Sequence, residues 1–243
     1  MGARMETLSI YYYLAFPDQS QTVFLLEIDP VKMELINNIP ETLPGWTNLT
    51  FHQCPHCPLD SAHHPYCPLA ANQVNIIKQI GPFLPYHKVQ LEVVTAERKI
   101  VQATTLQAAF GSLMGLVMPL SGCPHTAYFK PMARFHVPLA NSSETMFRSV
   151  SMYFMAQYFL HKEGKSVDLN LTGLSRIYEN IHVVNTSIAE RFLAASTQDS
   201  SVDALVQLDI YAMTFLGILE EPLQELRPLF SAYFDEYTPV SLR

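Results

Sequence analysis

Between residues 40 and 68 the chain carries Pro40, Pro44, Pro55, Pro58, Pro65 and Pro68, a spacing that neither a long helix nor a central strand tolerates. Each proline fixes φ and withdraws a backbone donor, so this segment reads as a loop, ordered or disordered, with regular structure built on either side. It also holds three of the four cysteines, Cys54, Cys57 and Cys67; the fourth is Cys123. All four are followed directly by proline, in a chain with 17 prolines among 243 residues. The recurrence implies a need for four sulfurs on stiff backbone.

At 49% apolar and 15% charged, the chain is too hydrophobic and too weakly charged to be disordered. A net charge of −7 argues against nucleic acid as a partner, because phosphate neutralisation needs basic surface. The longest apolar run, residues 108–120, falls short of the ~20 residues of a membrane-spanning helix. Residues 8–16 lead into Pro17-Asp18-Gln19-Ser20, a turn composition and not a signal cleavage site. A cytoplasmic protein without a transmembrane segment is expected, with a protein partner or a second copy of the chain left open.

Hydrophobic patterning places short strands at 8–16, 21–28 and 31–37, and a second hairpin at 89–94 and 99–103. A short helix is expected over 70–80, stopped by Gly81-Pro82, and a second from Thr104 or Thr105 to Met118, stopped by Pro119. Asn141 and Glu144 form a capping-box signature for a helix that Gly164 closes. Its interior is apolar nearly all round, which predicts a central, buried helix. Further helices are expected at 172–195, with a stripe of Leu174, Ile177, Ile181, Val184, Ile188 and Phe192, at 201–221 up to Pro222, and in a last short piece up to Phe234. The fold class is α+β: N-terminal strand hairpins with a Cys/Pro-rich loop (1–103), then a C-terminal helical bundle (104–243), in one compact unit.

Four thiolates are the ligand set of tetrahedral zinc and of iron–sulfur clusters, and a Cys-x2-Cys pair can put two sulfurs on one centre. Cys54, Cys57, Cys67 and Cys123 are therefore the candidate metal ligands. Because each proline removes the N–H next to its cysteine, a donor-poor set of sulfurs is expected, and on this ground a cluster is placed slightly ahead of zinc. Cys54-Pro55-His56-Cys57 matches in four residues the active site of periplasmic disulfide oxidases. That chemistry needs its first cysteine at a helix N-terminus, and Pro58 argues against one here. Four buried free thiols with no metal are the plain structural alternative.

His52, His56 and His125 lie close enough to the cysteines in sequence to donate to sulfur or replace a ligand. With no Lys or Arg between Lys32 and Lys78, they are the expected local partners of a thiolate set. Phosphate-binding loops, nucleophile elbows and zinc-protease helices are all missing from the sequence. The segments FHQCPHCPLD, PYCPLA and SGCPHT followed by KPMARFHVP resemble an uncharacterised bacterial family, a domain of unknown function, over most of the chain. The resemblance implies no activity and supports treating the four cysteines as one set. The expected function is that of a four-cysteine metal protein in a redox, sensing or structural role. The alternatives are a metalloenzyme using His56 or His125 as acid or base, and a metal-free helical interaction module.

Overall fold

The computed structural model describes residues 7–36, 38–80, 83–195 and 220–234. Five antiparallel strands form one sheet in the order β3-β2-β1-β4-β5: β1 (Leu8–Ala15), β2 (Gln21–Asp29), β3 (Glu34–Ile36), β4 (Lys88–Val94) and β5 (Lys99–Thr105). Alternation sets the register. Ile10, Tyr12, Leu14 and Phe16 point inward, and β2 offers Phe24, Leu26 and Ile28 to the same face. Tyr12 stands opposite Phe24 on one side and Val93 on the other, and Leu14 opposite Leu91, so the inward residues of three strands meet in rows. Tyr11 and Tyr13 stack at 6.0 Å on the other face.

The helices are α1 (Pro68–Ile80), α2 (Leu106–Leu120), α3 (Lys130–Arg134), α4 (Ser142–Lys162), α5 (Thr172–Ala195) and α6 (Glu220–Leu226). α1, α2 and the C-terminal half of α5 cover the inner face of the sheet, and Val184, Ile188 and Phe192 join the same buried cluster as the strands. Local chemistry explains the boundaries. Thr105 caps α2 by accepting from Ala108 N–H, and α4 opens with a complete capping box between Asn141 and Glu144. Gly122 and Gly164 take positive φ (87° and 70°) just beyond α2 and α4, the conformation in which a helix end turns away.

Several expectations need correction. β3 begins at Glu34 because the Asp29 carboxylate accepts from Val31 and Lys32 N–H and folds residues 30–33 into a turn. α2 runs past Pro119, which removes one N–H from its last turn without ending it. Pro222 is the third residue of α6 and does not stop a helix. Helix α4 is not buried all round: Phe147, Phe154, Met155, Tyr158 and Phe159 are exposed, while Met146, Val150 and Tyr153 pack with α5. The rest of the helix expected at 201–221 lies outside the described residues. No described helix is long and apolar enough to cross a membrane.

One polar chain runs through this packing. The hydroxyl of Tyr12, buried under the sheet, contacts Ser112 Oγ of α2 at 3.2 Å and His136 Nε2 just after α3. Burial of the imidazole, and then the Arg148 guanidinium, push the His136 pKa down to about 3. As pH falls through 6.5 the unfolded chain takes up a proton at this residue that the folded chain refuses until about pH 3. The contribution of His136 to stability is therefore complete above pH 6.5 and is lost below it, by at most ~1.4 kcal/mol per pH unit. Urea unfolding of the wild type and His136→Gln at pH 7, 6 and 5 should show a shallower loss of stability in the variant; equal slopes would contradict this account.

Candidate functional site

The proline-rich segment is ordered, and α5 is what orders it. Gly45–Thr47 forms a single 3-10 turn, Asn48 bridges to Tyr66, and Leu49 N–H donates to the Pro65 carbonyl, which closes the loop on itself. Arg191 then reaches in from α5. It is only 2% exposed; its Nη1 donates to the carbonyls of Trp46 (2.7 Å) and Asn48 (2.8 Å), and its Nη2 to that of Leu49 (3.0 Å). The next residue, Phe192, meets the Trp46 ring edge-on at 6.1 Å. No carboxylate among the described residues pairs with Arg191.

Into this frame come four free thiols from three pieces of chain. Cys54 and Cys57 sit on one turn, closed by Cys57 N–H donating to the Cys54 carbonyl at 2.9 Å. Cys67 caps α1: its carbonyl accepts from Ala71 N–H, Pro68 is the first helical residue, and the N–H groups of Ala70 and Leu69 are directed at its sulfur. Cys123 repeats the arrangement after α2, its sulfur facing the N–H groups of Thr126 and His125. The Cys123 turn is held by Ser121 Oγ, which accepts from Cys123 N–H and donates to the Met118 carbonyl, and by Asn72 of α1, which donates to the Ser121 carbonyl.

The recurrent Cys-Pro pair thus has a local explanation. Proline suits the first position after a cap or the second position of a turn, where no N–H is needed and φ is already set. The expectation of donor-poor sulfurs is overturned for Cys67 and Cys123, because donors come from the residues two and three places on. With them goes the ground for ranking a cluster ahead of zinc.

Burial raises the thiol pKa of Cys54, Cys67 and Cys123. The sulfurs also oppose one another's ionisation: Cys67 and Cys57 act on Cys54, Cys57 on Cys67, and Cys67 on Cys123. Arg191 acts the other way on Cys54 and Cys67, and the Ser187 hydroxyl bonds the Cys54 sulfur. All four sulfurs therefore share one electrostatic neighbourhood, although no three His, Cys, Asp or Glu side chains among the described residues stand close enough to hold a metal ion as placed.

The histidines divide. His52, at φ 42°, turns away to pair with Glu190 of α5 at 2.8 Å on the surface. His56 and His125 stack at 3.9 Å beside the cysteines. His125 Nε2 donates to the His56 carbonyl at 3.0 Å, and His56 Nε2 to the Asn180 carbonyl of α5 at 3.2 Å. A carbonyl only accepts, so neutral His56 keeps its lone pair on Nδ1, a buried atom that no described residue reaches. Burial, and then His125, hold His56 below its ordinary pKa.

Beside the histidines expected as local partners of the thiolates stands Arg191, which sequence reading passed over. It sits beside Phe192 at the end of the apolar stripe of α5, the one signal that could have marked it as inward-facing.

A family model described as a domain of unknown function, DUF6901, matches residues 10–231. The chain belongs to that family. The matched span takes in all four cysteines, the stacked histidines and Arg191. No curated protein and no solved structure matches the chain.

Replacing Arg191 by Met leaves the Trp46 and Leu49 carbonyls without a donor, takes from Asn48 one of its two, and should destabilise the protein by roughly 3 kcal/mol. Arg191→Lys should recover less than half of that, because one ammonium cannot span the three acceptors. Urea denaturation of both variants checks this; a loss under 1 kcal/mol in Arg191→Met would mean that the loop is held by something else.

Proposed function

We propose that this protein binds a soft metal centre, a zinc ion or an iron–sulfur cluster, through the thiolates of Cys54, Cys57, Cys67 and Cys123, in a structural, sensing or redox role. The observation that carries this reading is the gathering of four free thiols from three pieces of chain beside a buried guanidinium that has no described carboxylate partner. Thiols crowded out of water disfavour ionisation, and a cation is what reverses that preference. Four thiolates around Zn2+ or a [4Fe–4S]2+ core carry net negative charge, which Arg191 offsets. Loading draws the sulfurs inward from their present spacing and clamps the loop to α1, to the turn after α2 and to α5.

A closed structural or electron-carrying centre is favoured over a hydrolytic one, because the Nε2 atoms of His56 and His125 are both spent on carbonyls. That leaves the Nδ1 lone pairs of His56 and His125 as candidates for a replacement ligand, that of His56 buried and without a described partner.

Protein purified without oxygen should carry stoichiometric zinc, or iron and sulfide with absorption near roughly 400 nm. Serine at Cys54, Cys67 or Cys123 should abolish retention of the metal. Three of the thiols have raised pKa values, so uptake near neutral pH releases at least three protons, and affinity should rise about a thousand-fold per pH unit between pH 6 and 7. Zinc competition with a chromophoric chelator at several pH values measures this. No metal as isolated, together with no zinc uptake and no cluster reconstitution, would leave the metal-free reading in possession.

A further inference from the structure

On the other side of α5 from the cysteines lies a cavity of about 490 Å³, bounded by α2, α3, α4, α5 and the end of β5. Its size falls within the ~300–1,000 Å³ of ordinary small-molecule sites. The space exists because α2 presents Ala108, Gly111 and Gly115 to it, three residues of one helix face with almost no side chain. Phe129, Met132 and Ile181 supply apolar wall opposite.

One lining residue carries a charge. Arg148 of α4 is half-buried, and its Nη2 donates to the carbonyls of Met132 (2.7 Å) and Phe135 (2.9 Å), which fixes the plane of the guanidinium. No described residue accepts from its Nη1 or Nε. Among the described residues no Asp, Glu or Lys lines the cavity, and the acidic group that acts on Arg148, Glu144, is tied into the capping box through Asn141 N–H at 2.8 Å. His136, also in the wall, is kept neutral at physiological pH by its burial. Among the described residues the cavity therefore holds a single positive charge, in a wall of apolar and neutral polar side chains.

We propose that this cavity binds a small monocarboxylate with an apolar body, its carboxylate on the free Nη1 of Arg148 and its body against Phe129, Met132, Ile181 and the bare face of α2. With Nη2 spent on two carbonyls, the pre-oriented guanidinium offers a carboxylate a charge-assisted hydrogen bond from Nη1. A dianion such as a phosphate monoester would bring a second charge into a wall with nothing to neutralise it. The Tyr12–His136–Ser112 chain, through Leu139 N–H on Ser112 Oγ at 3.1 Å, stiffens the wall behind the site. The proposal is independent of the metal centre.

Calorimetry on the full chain with decanoate, decanol and decyl phosphate tests it. Decanoate should bind with micromolar Kd, decanol and decyl phosphate at least tenfold more weakly, and Arg148→Met should cost decanoate tenfold or more. Ala108→Leu, which fills the cavity and leaves Arg148 in place, should also abolish binding; it and Arg148→Lys, expected to be intermediate, carry the test if Arg148→Met fails to fold. Equal binding of decanoate and decanol, tighter binding of decyl phosphate, no binding of decanoate at millimolar concentration, or undiminished binding in the variants would each overturn the proposal.

Discussion

The guanidinium of Arg191 buried among the carbonyls of Trp46, Asn48 and Leu49 is the contact on which the candidate metal site depends. A proline-rich segment has few N–H groups to satisfy its own carbonyls, so its surplus acceptors must find donors elsewhere or stay in water. A guanidinium offers several donors in a fixed plane, which is why one side chain can organise a turn that makes little regular structure of its own. Burying that charge with no carboxylate partner among the described residues is costly in a static sense, and the cost is only partly met by carbonyl dipoles. Thiols next to it gain a reason to ionise that burial alone denies them, and a metal–thiolate set would complete the charge balance.

Around that anchor, three of the four Cys-Pro pairs, those of Cys54, Cys67 and Cys123, open a turn or a helix. Cys67 shows it most fully: the residue accepts the first helical bond through its carbonyl, turns its sulfur to the next free N–H groups, and hands over to a proline that needs none. Cys123 does the same over a shorter turn, and Cys54 uses the proline as the second residue of a simple reverse turn. The Cys-Pro pair places the sulfurs of Cys54, Cys67 and Cys123 at the start of a turn, with N–H groups converging on those of Cys67 and Cys123. The pattern that looks unusual in sequence is therefore ordinary capping chemistry with sulfur in place of the usual oxygen.

How much of this was legible follows from where each signal resides. The strands and the bounds of α4 and α5 were readable because alternation, the capping box at Asn141 and Glu144, and the stripe from Leu174 to Phe192 are local signals. The exposure of Phe154, Met155, Tyr158 and Phe159 was not, since an all-round apolar helix says only that it has surface to bury and not what lies against it. Arg191 was invisible for a different reason. A charged residue on an amphipathic helix reads as solvated, and its burial is decided by carbonyls some 140 positions away. The gathering of the four cysteines was suggested by a repeated dipeptide, while their actual spacing depends on how the loop, α1 and the turn after α2 meet.

Helix α5 links the two regions without merging them. At about 100° per residue, Asn180, Ser187 and Arg191 fall within ~40° of one another on one face, and Tyr178, Ile181 and Asn185 within ~60° on a face turned roughly 130° away. The first set touches His56, the Cys54 sulfur and the loop carbonyls; the second lines the cavity. A single helix thus forms part of the wall of both. The two regions also share α2, whose small residues open the cavity and whose C-terminal turn carries Cys123. The sequence of each helix therefore answers to two demands at once, one set by the cysteine loop and its turns and the other by the cavity.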